Sequence, residues 1–360
     1  MSQSDDHSQG RWPRPWRPPT LADVARRAGV SKATASRALA AGRTTARPAA
    51  TGSVQRIARS LGYTTRRADL PRLLVLSSGL ARTGYWATLS GVLEAAQEHG
   101  ADLSIHVLSA SPARRREALL QALGTRLDAV VVLEFDSLGL AALHDLPEGL
   151  PLAVAGGYPH PDDGGLKRAW TDDHAGAVMA CEHLLGLGHT RVAYVGVPSA
   201  GHPDPRLAGW REVMAGAGLE APEPVATGWG TTTGERAAAA LTRSGATAVL
   251  CGNDDLAIGL LSGLARAGAR IPDDISVVGV DDHPHASATT PPLTTVRLDF
   301  ARVGQEAVAL ALGTRREERV EVPVELVERE SVGRPLPDPN RSLSPSRPVE
   351  RQCGLARPAP

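Results

Sequence analysis

From Ser31 to Arg37 the chain reads Ser-Lys-Ala-Thr-Ala-Ser-Arg, a run of hydroxyls and cations separated by methyl groups. On one side of a helix such residues make a small, polar, basic face that can touch a nucleic acid. The chemistry implied is recognition, not bond-making. No G-x-G-x-x-G follows a strand and opens a helix: Gly196 is followed by Pro198, while Gly186 and Gly188 precede a strand. Neither G-x-x-x-x-G-K-[ST] nor G-x-S-x-G occurs, so an enzyme has no phosphate cradle or nucleophile to stand on, and no cofactor is expected. The cluster Asp281 to His285, DDHPH, has metal-ligand residue types. Its place at the end of the apolar strand ISVVGV suits a ligand-binding carboxylate better than a metal.

Two helices must hold the basic face. Thr20 offers an N-cap, and Leu21, Val24, Ala25 and Ala28 recur at helical spacing on one face. Gly29 can take the left-handed conformation that stops a helix, and Ser31 immediately caps a second one. In that second helix Ala35, Ala38 and Leu39 face inward, leaving Lys32, Ala33, Thr34, Ser36 and Arg37 outside. A third helix follows a polar loop, with Val54, Ile57, Ala58 and Leu61 on one face, Gly62 as its cap and Tyr63 folding back on it. This is a small all-α helix-turn-helix domain over 20–63, in which the second helix enters a DNA major groove. Charge favours that over an ordinary helical hairpin. Residues 1–72 hold fourteen Lys and Arg against four Asp and Glu, a net of +10, so the other residues carry −10 although the whole chain sums to zero. Residues 1–19, rich in Pro, Arg and Ser, read as a disordered arm in which Trp12 and Trp16 are solvated.

From Leu73 onward apolar runs alternate with helical ones: LLVL, LSIHVL, AVVVL, LAVAG, RVAYVG, TAVLCG and ISVVGV, each followed by a helix-patterned stretch apart from an extended piece near 224–227. Alternation of this kind predicts an α/β core of two doubly wound parallel sheets. In such sheets ligands sit beyond the carboxyl ends of strands, which directs attention to the loops starting at Ser77, Gly196, Gly252 and Asp281. No apolar run is long enough for a membrane span and the N-terminus lacks a signal-peptide core, so the expected location is the cytoplasm. Cys181, Cys251 and Cys353 lie far apart with no C-x-x-C pair, and read as packing thiols or, for Cys353, an exposed tail residue.

Seven stretches in order, TLADVARRAGVSKATASRAL, EHLLGLGHTRVAYVG, RLAGW, CGNDDLAIGLL, IPDDISVVGVDD, PPLTTVRLDF and ELVERESVG, resemble the LacI/GalR family of transcriptional regulators over about residues 20–334. The resemblance implies a hinge at 64–72 and an effector core at 73–334 related to periplasmic sugar-binding proteins. Its subdomains would span 73–189 with 298–321 and 190–297 with 322–334, the chain crossing near His189, Arg297 and Glu321. It further implies a repressor, dimeric on a palindromic operator, whose DNA affinity a small ligand controls. A sugar fits most members and a purine others, and the sign of the effect stays open. A ligand-binding module without specific DNA recognition is the alternative class.

Matched residue by residue, the resemblance assigns base contacts to Lys32, Ala33 and Arg37, phosphate contacts to Ser31, Thr34 and Ser36, and places Thr20 in the same DNA-facing set. It assigns the ligand to Ser77, Tyr85, Trp86, Asp172, Arg206, Trp229, Asn253, Asp281 and Phe300. Arginine supplies a fixed fork of donors for a hydroxyl pair or a carbonyl, and rings supply flat apolar faces. Two departures matter. Between Tyr63 and Leu73 the chain has only TTRRADLPR, and Pro71 disfavours helix at Leu70, so either Leu70 alone wedges a base step or Arg66, Arg67 and Arg72 grip phosphates instead. The proline-rich tail at 335–360 has no leucine heptad, so it reads as disordered and a dimer, not a tetramer, is expected.

Overall fold

The computed structural model describes residues 20–40, 48–61, 70–123, 127–159, 163–198 and 204–336. The arm, Gly62, Tyr63, Arg66, Arg67, Ala68, Cys353 and the tail beyond 336 lie outside the described residues. The chain divides into two compact units, residues 1–70 and 71–360.

In the first unit α1 (Leu21–Arg27), α2 (Lys32–Ala40) and α3 (Pro48–Ser60) close on a core of Val24, Ala25, Ala35, Ala38, Val54 and Ala58. Alanines at these positions let the helices approach closely. Thr20 and Asp23 form a reciprocal capping box at the start of α1. Gly29, at φ +65°, turns the chain, and Val30 donates its N–H back to the Ala25 carbonyl at 3.0 Å. Ser31 Oγ then accepts the Thr34 N–H at 3.1 Å, capping α2. Ser31, Lys32, Ala33, Ser36 and Arg37 are exposed and Thr34 is half-buried. Leu70, also half-buried, is the end of this unit.

The second unit holds two sheets. The first is wholly parallel, in the order β10-β5-β4-β3-β1-β2, from β1 (Arg72–Ser77), β2 (Asp102–Val107), β3 (Ala129–Leu133), β4 (Leu152–Ala155), β5 (Lys167–Thr171) and β10 (Arg319–Val322). The second, β11-β9-β8-β7-β6, uses β6 (Val192–Val195), β7 (Ala248–Cys251), β8 (Ser276–Asp281), β9 (Thr294–Leu298) and β11 (Val324–Val327); only β11 is antiparallel to its neighbour. Strands β1, β3, β4, β6, β7 and β8 are buried nearly end to end, which is why each reads as a continuous apolar run. Helices α4 (Thr83–Glu98) and α11 (Phe300–Ala311) cover one face of the first sheet, α5 (Pro112–Leu123) and α6 (Ser137–Asp145) the other. The second sheet packs α9 (Thr231–Ser244) and α10 (Asp254–Arg266) on one face, α7 (Asp173–Gly186) and α8 (Pro205–Gly216) on the other.

The expected boundary near His189 is corrected by α7. Its Ala177, Ala180, Cys181 and Leu184 pack among Val192, Tyr194 and Trp210 of the second sheet's core, so the chain crosses at Thr171–Asp173, one helix earlier. The tightness of that contact explains the choice of sheet: a Cβ on Gly209 of α8 would come within 2.6 Å of the His174 carbonyl. The other crossings lie between Leu298 and Phe300 and at Pro323. Burial pushes both Cys181 and Cys251 thiols up, Cys181 to about 12, which fits inert packing. Among the described residues no helix is long and apolar enough to cross a membrane.

Arg72 enters β1, its N–H bonded to Asp128 Oδ2 at 3.0 Å. β5 departs furthest from an apolar run. Its Arg168 is 1% exposed yet charged, because Glu134 Oε2 accepts from Nη1 at 2.6 Å, Asp163 from Nε at 3.1 Å and the Gly156 carbonyl from Nη1 at 2.8 Å. Removing one partner of such a pair strands a buried charge. Arg168→Met is expected to cost the core about 3–5 kcal/mol in urea unfolding, with only part of the loss recovered by adding Glu134→Leu, because Asp163 has also lost the arginine.

Candidate functional site

The sheets share one design rule at their carboxyl ends. Register sets Leu133 level with Ala155 in the first sheet and Val195 level with Cys251 in the second, so the following loops open together. Between them lies a cavity of about 120 Å³. Since one water needs roughly 10–15 Å³ by this measure, it takes on the order of ten waters, the scale of one sugar ring or base.

Arg206, in the first turn of α8, is 8% exposed and tied on three sides. Asp173 receives Nε at 3.1 Å and Nη2 at 2.9 Å, Nη1 donates to the Gly252 carbonyl, and Asp281 Oδ1 stands 3.7 Å from Nη2. Burial works against the guanidinium's charge, but Asp173, Asp281 and Asp204 outweigh it and hold its pKa above the ordinary value. Asp281 moves the opposite way for an arginine's partner. Burial drives it well above the ordinary carboxylate value, and Asp254, Asp173 and Asp255 add repulsion that a single shared arginine does not cancel. Its Oδ1 is sealed from solvent and accepts no hydrogen bond among the described residues.

A strained turn presents that carboxylate. Asp281 (φ 123°) and Asp282 (φ 53°) are consecutive non-glycine residues on the left-handed side. Asp282 is held by Arg329 at 2.6 Å and Arg297 at 2.8 Å, which fixes the turn from behind.

Aromatic rings form the opposing wall. Tyr85 meets Phe135 edge to face at 5.2 Å, and Phe135 meets Phe300 at 5.7 Å. Trp229 faces them from the second sheet's side, and the Arg82 guanidinium lies over its ring at 4.3 Å. Asn253 works behind Trp229: its Oδ1 caps α10 by accepting from Leu256 N–H at 2.8 Å, and its Nδ2 donates to the Trp229 carbonyl at 3.0 Å.

Six of the nine expected ligand residues therefore line the cavity: Tyr85, Arg206, Trp229, Asn253, Asp281 and Phe300. Three do not. Ser77 is fully buried and donates to the Gly79 carbonyl at 2.6 Å. Trp86 is 40% exposed on a separate groove with Ser90, Pro284 and Arg297, because one helical step rotates it away from Tyr85. Asp172 caps α7 by accepting the Ala175 N–H at 2.9 Å, leaving its neighbour Asp173 to face the cavity. Sequence reasoning missed Arg82, Phe135, Asp173 and Asp255. Applying the strand-end rule to β3 would have pointed to Phe135. Among the described residues no group of three or more His, Cys, Asp or Glu is placed to hold a metal; in the DDHPH segment the His283 and His285 rings lie 4.7 Å apart and His283 Nδ1 accepts the His285 N–H at 2.9 Å.

Comparison with known proteins places both units. Residues 20–66 match the family model for bacterial regulatory proteins of the lacI family, and residues 181–332 match the periplasmic binding protein-like domain. The HTH-type transcriptional regulator reg1 of Streptomyces lividans is 30% identical over 321 residues, covering 81% of this chain and 89% of its own. The chain belongs to the LacI family of bacterial regulatory proteins. The HTH-type transcriptional regulator GalS of Salmonella typhimurium is 31% identical over 312 residues, again 81% of this chain and 89% of the relative. Among solved structures, the Lac repressor dimer bound to operator and the anti-inducer ONPF superposes with a TM-score of 0.73 at 25% identity, covering 88% of this chain and all of that one. A complex of the transcriptional regulator CelR with cellobiose gives 0.62 at 29% identity, over 87% and 99%. These LacI-family relatives are regulators, which removes the enzyme reading by homology rather than by missing motifs.

Behind the cavity Asp254 is fully buried, accepting from Thr295 Oγ1 at 2.6 Å and from the His283 N–H at 2.7 Å. Only glycine fits at 279, where a Cβ would press on Asp254 Oδ1. Burial raises its pKa from 3.8 to about 7. Between those values the folded chain holds a proton that the unfolded chain has released, so stability falls as pH rises through this window. Asp254→Asn is expected to flatten that fall, read as a smaller difference between urea midpoints measured near the two ends of the window.

Proposed function

We propose that this LacI-family regulator is a homodimeric repressor whose α2 reads a palindromic operator and whose grip on DNA is set by a small ligand, a sugar or sugar derivative, held between the two sheets. The observation that carries the ligand reading is the opposition of a polar end and an aromatic wall. Arg206, Asp173 and Asp281 offer donors and acceptors suited to vicinal hydroxyls, while Trp229 and Phe135 offer flat faces for a ring's apolar side. The cellobiose found with CelR and the operator found with the Lac repressor dimer support the two halves of this reading.

At the DNA, Lys32, Ala33 and Arg37 are assigned to base edges and Ser31, Thr34 and Ser36 to phosphates. Arg37 Nε here donates to the Ala33 carbonyl at 3.3 Å, so the side chain must swing outward to reach a base. The Thr20 hydroxyl already serves the α1 cap, which leaves it to DNA through backbone position more than through its oxygen. Arg66 and Arg67, with Leu70, are assigned to the short hinge segment. Coupling between the sites needs no direct contact. If the ligand favours one placement of the two sheets, and that placement favours one spacing of the two heads, ligand and operator affinities are linked reciprocally.

A gel shift with the DNA upstream of the protein's own gene, run with and without sugars and purine bases, tests the whole scheme. Specific retention released or strengthened by a sugar supports it, whereas a purine response or no specific retention overturns it. Arg37→Ala is expected to cost roughly 1–3 kcal/mol on the preferred operator and to relax preference at one base pair; unchanged preference would remove Arg37 from the reading set. Asp281→Asn is expected to abolish the response to ligand in the same assay, and a normal response would exclude Asp281 from the site.

A further inference from the structure

We propose that the effector carries a protonated amine, an amino sugar in preference to its neutral parent, and that Asp255 and Asp281 receive it; this rests on the sugar reading above. The cavity is lined by more carboxyl groups than guanidiniums to pair them. Five carboxylates border it, Glu134, Asp173, Asp204, Asp255 and Asp281, against two guanidiniums, Arg82 and Arg206.

Tracing each partner isolates the excess. Glu134 is met by Arg168 at 2.6 Å. Asp204 accepts the Tyr194 hydroxyl at 3.0 Å and caps α8 at the Arg206 N–H. Asp173 takes both near nitrogens of Arg206. Arg82 lies over Trp229 and 3.8 Å from Asp136, its buried Nη1 without a hydrogen bond. What is left is Asp281, whose side chain is 9% exposed and whose Oδ1 has no hydrogen bond, and Asp255, which has neither ion pair nor hydrogen bond among the described residues. The positive end of α10 favours an acid in its first turn, and Asp255 there borders the cavity half-buried.

Neutral hydroxyls would satisfy these oxygens as hydrogen-bond acceptors and still leave the repulsion between Asp255 and Asp281 unrelieved. A primary ammonium gives three donors and the missing charge, and charge-assisted hydrogen bonds are about twice as strong as neutral ones. The ring opposite is suited to the same ligand. Trp229 already attracts a cation, the Arg82 guanidinium, to its face.

The test uses the full chain and calorimetry with 2-, 3- and 6-amino derivatives of glucose, galactose and mannose, their N-acetyl forms and the parent sugars. At least one amine is expected to bind about tenfold or more tighter than both its parent and its N-acetyl form. In Asp255→Asn that ratio is expected to shrink to about twofold. A parent or N-acetyl sugar that binds as tightly as its amine overturns the amine assignment and leaves the sugar reading standing. If no amine binds, the inference fails, and if purines alone shift operator binding the sugar reading fails with it. Should Asp255→Asn melt early, the wild-type ratio of amine to N-acetyl form decides alone.

Discussion

One guanidinium organises the ligand end of the core. Arg206 meets the first turn of α7 through Asp173, the end of β7 through the Gly252 carbonyl and the end of β8 through Asp281. Three elements that are distant in sequence are thereby held at one point. A cation taken out of water needs counter-charge close by, and Asp173 supplies it through one oxygen, Oδ2, that meets both Nε and Nη2. That hold leaves Asp281 half-served, pressed upward by burial and by its acidic neighbours. The same strained turn that exposes Asp281 to the cavity is braced by Arg329 and Arg297 through Asp282, so the carboxylate cannot relax away from its environment. Pre-organisation of this kind makes the site ready for a ligand at the expense of local stability.

Strands buried on both faces announced themselves as apolar runs, which is why AVVVL, RVAYVG and ISVVGV were legible. β5 was not, since Arg168 and Lys167 break its run and only the fold reveals that Glu134 and Asp163 wait for the arginine. β9, β10 and β11 alternate polar and apolar residues over four or five positions, too short to stand out beside loops. Helix α7 was visible as a helix, yet nothing local says whether a helix between β5 and β6 packs on the first sheet or the second. The cavity lining shows a similar limit. The resemblance pointed to Arg206, Asn253 and Asp281, which line the cavity, whereas Trp86 and Asp172 each stand one position from a residue that does, because rotation about a helix axis and the difference between a cap and a first turn decide which of two neighbours faces a cavity.

Three crossings link the sheets, and any motion of one against the other must pass through them. Chain passes at Thr171–Asp173, between Leu298 and Phe300, and at Pro323, where β10 pairs with β5 and β11 with β9. Every crossing begins or ends in a strand, so relative motion of the sheets is limited to what a few linking residues absorb. Two of these segments carry site residues: Asp173 follows the first, and Phe300 the second. A ligand that touches them acts next to the places where the sheets turn against each other.

Arg82 and Trp229 define what such a ligand must overcome. Arg82 follows β1 of the first sheet and Trp229 precedes α9 of the second, so their contact at 4.3 Å ties the two sides of the cavity together before anything binds. At a partly exposed site a contact of this type is worth about 0.5–1 kcal/mol, more as water is excluded. A ring stacking on that face of Trp229 must displace the guanidinium, which already stands 3.8 Å from Asp136 on its own side. Binding would then exchange a link across the cavity for a link within the first sheet's loops. Under the proposed function, such an exchange would make ligand affinity different in the two placements of the sheets. Without such a difference even a tightly bound ligand shifts no equilibrium, and with one of a few kcal/mol it moves the population by orders of magnitude.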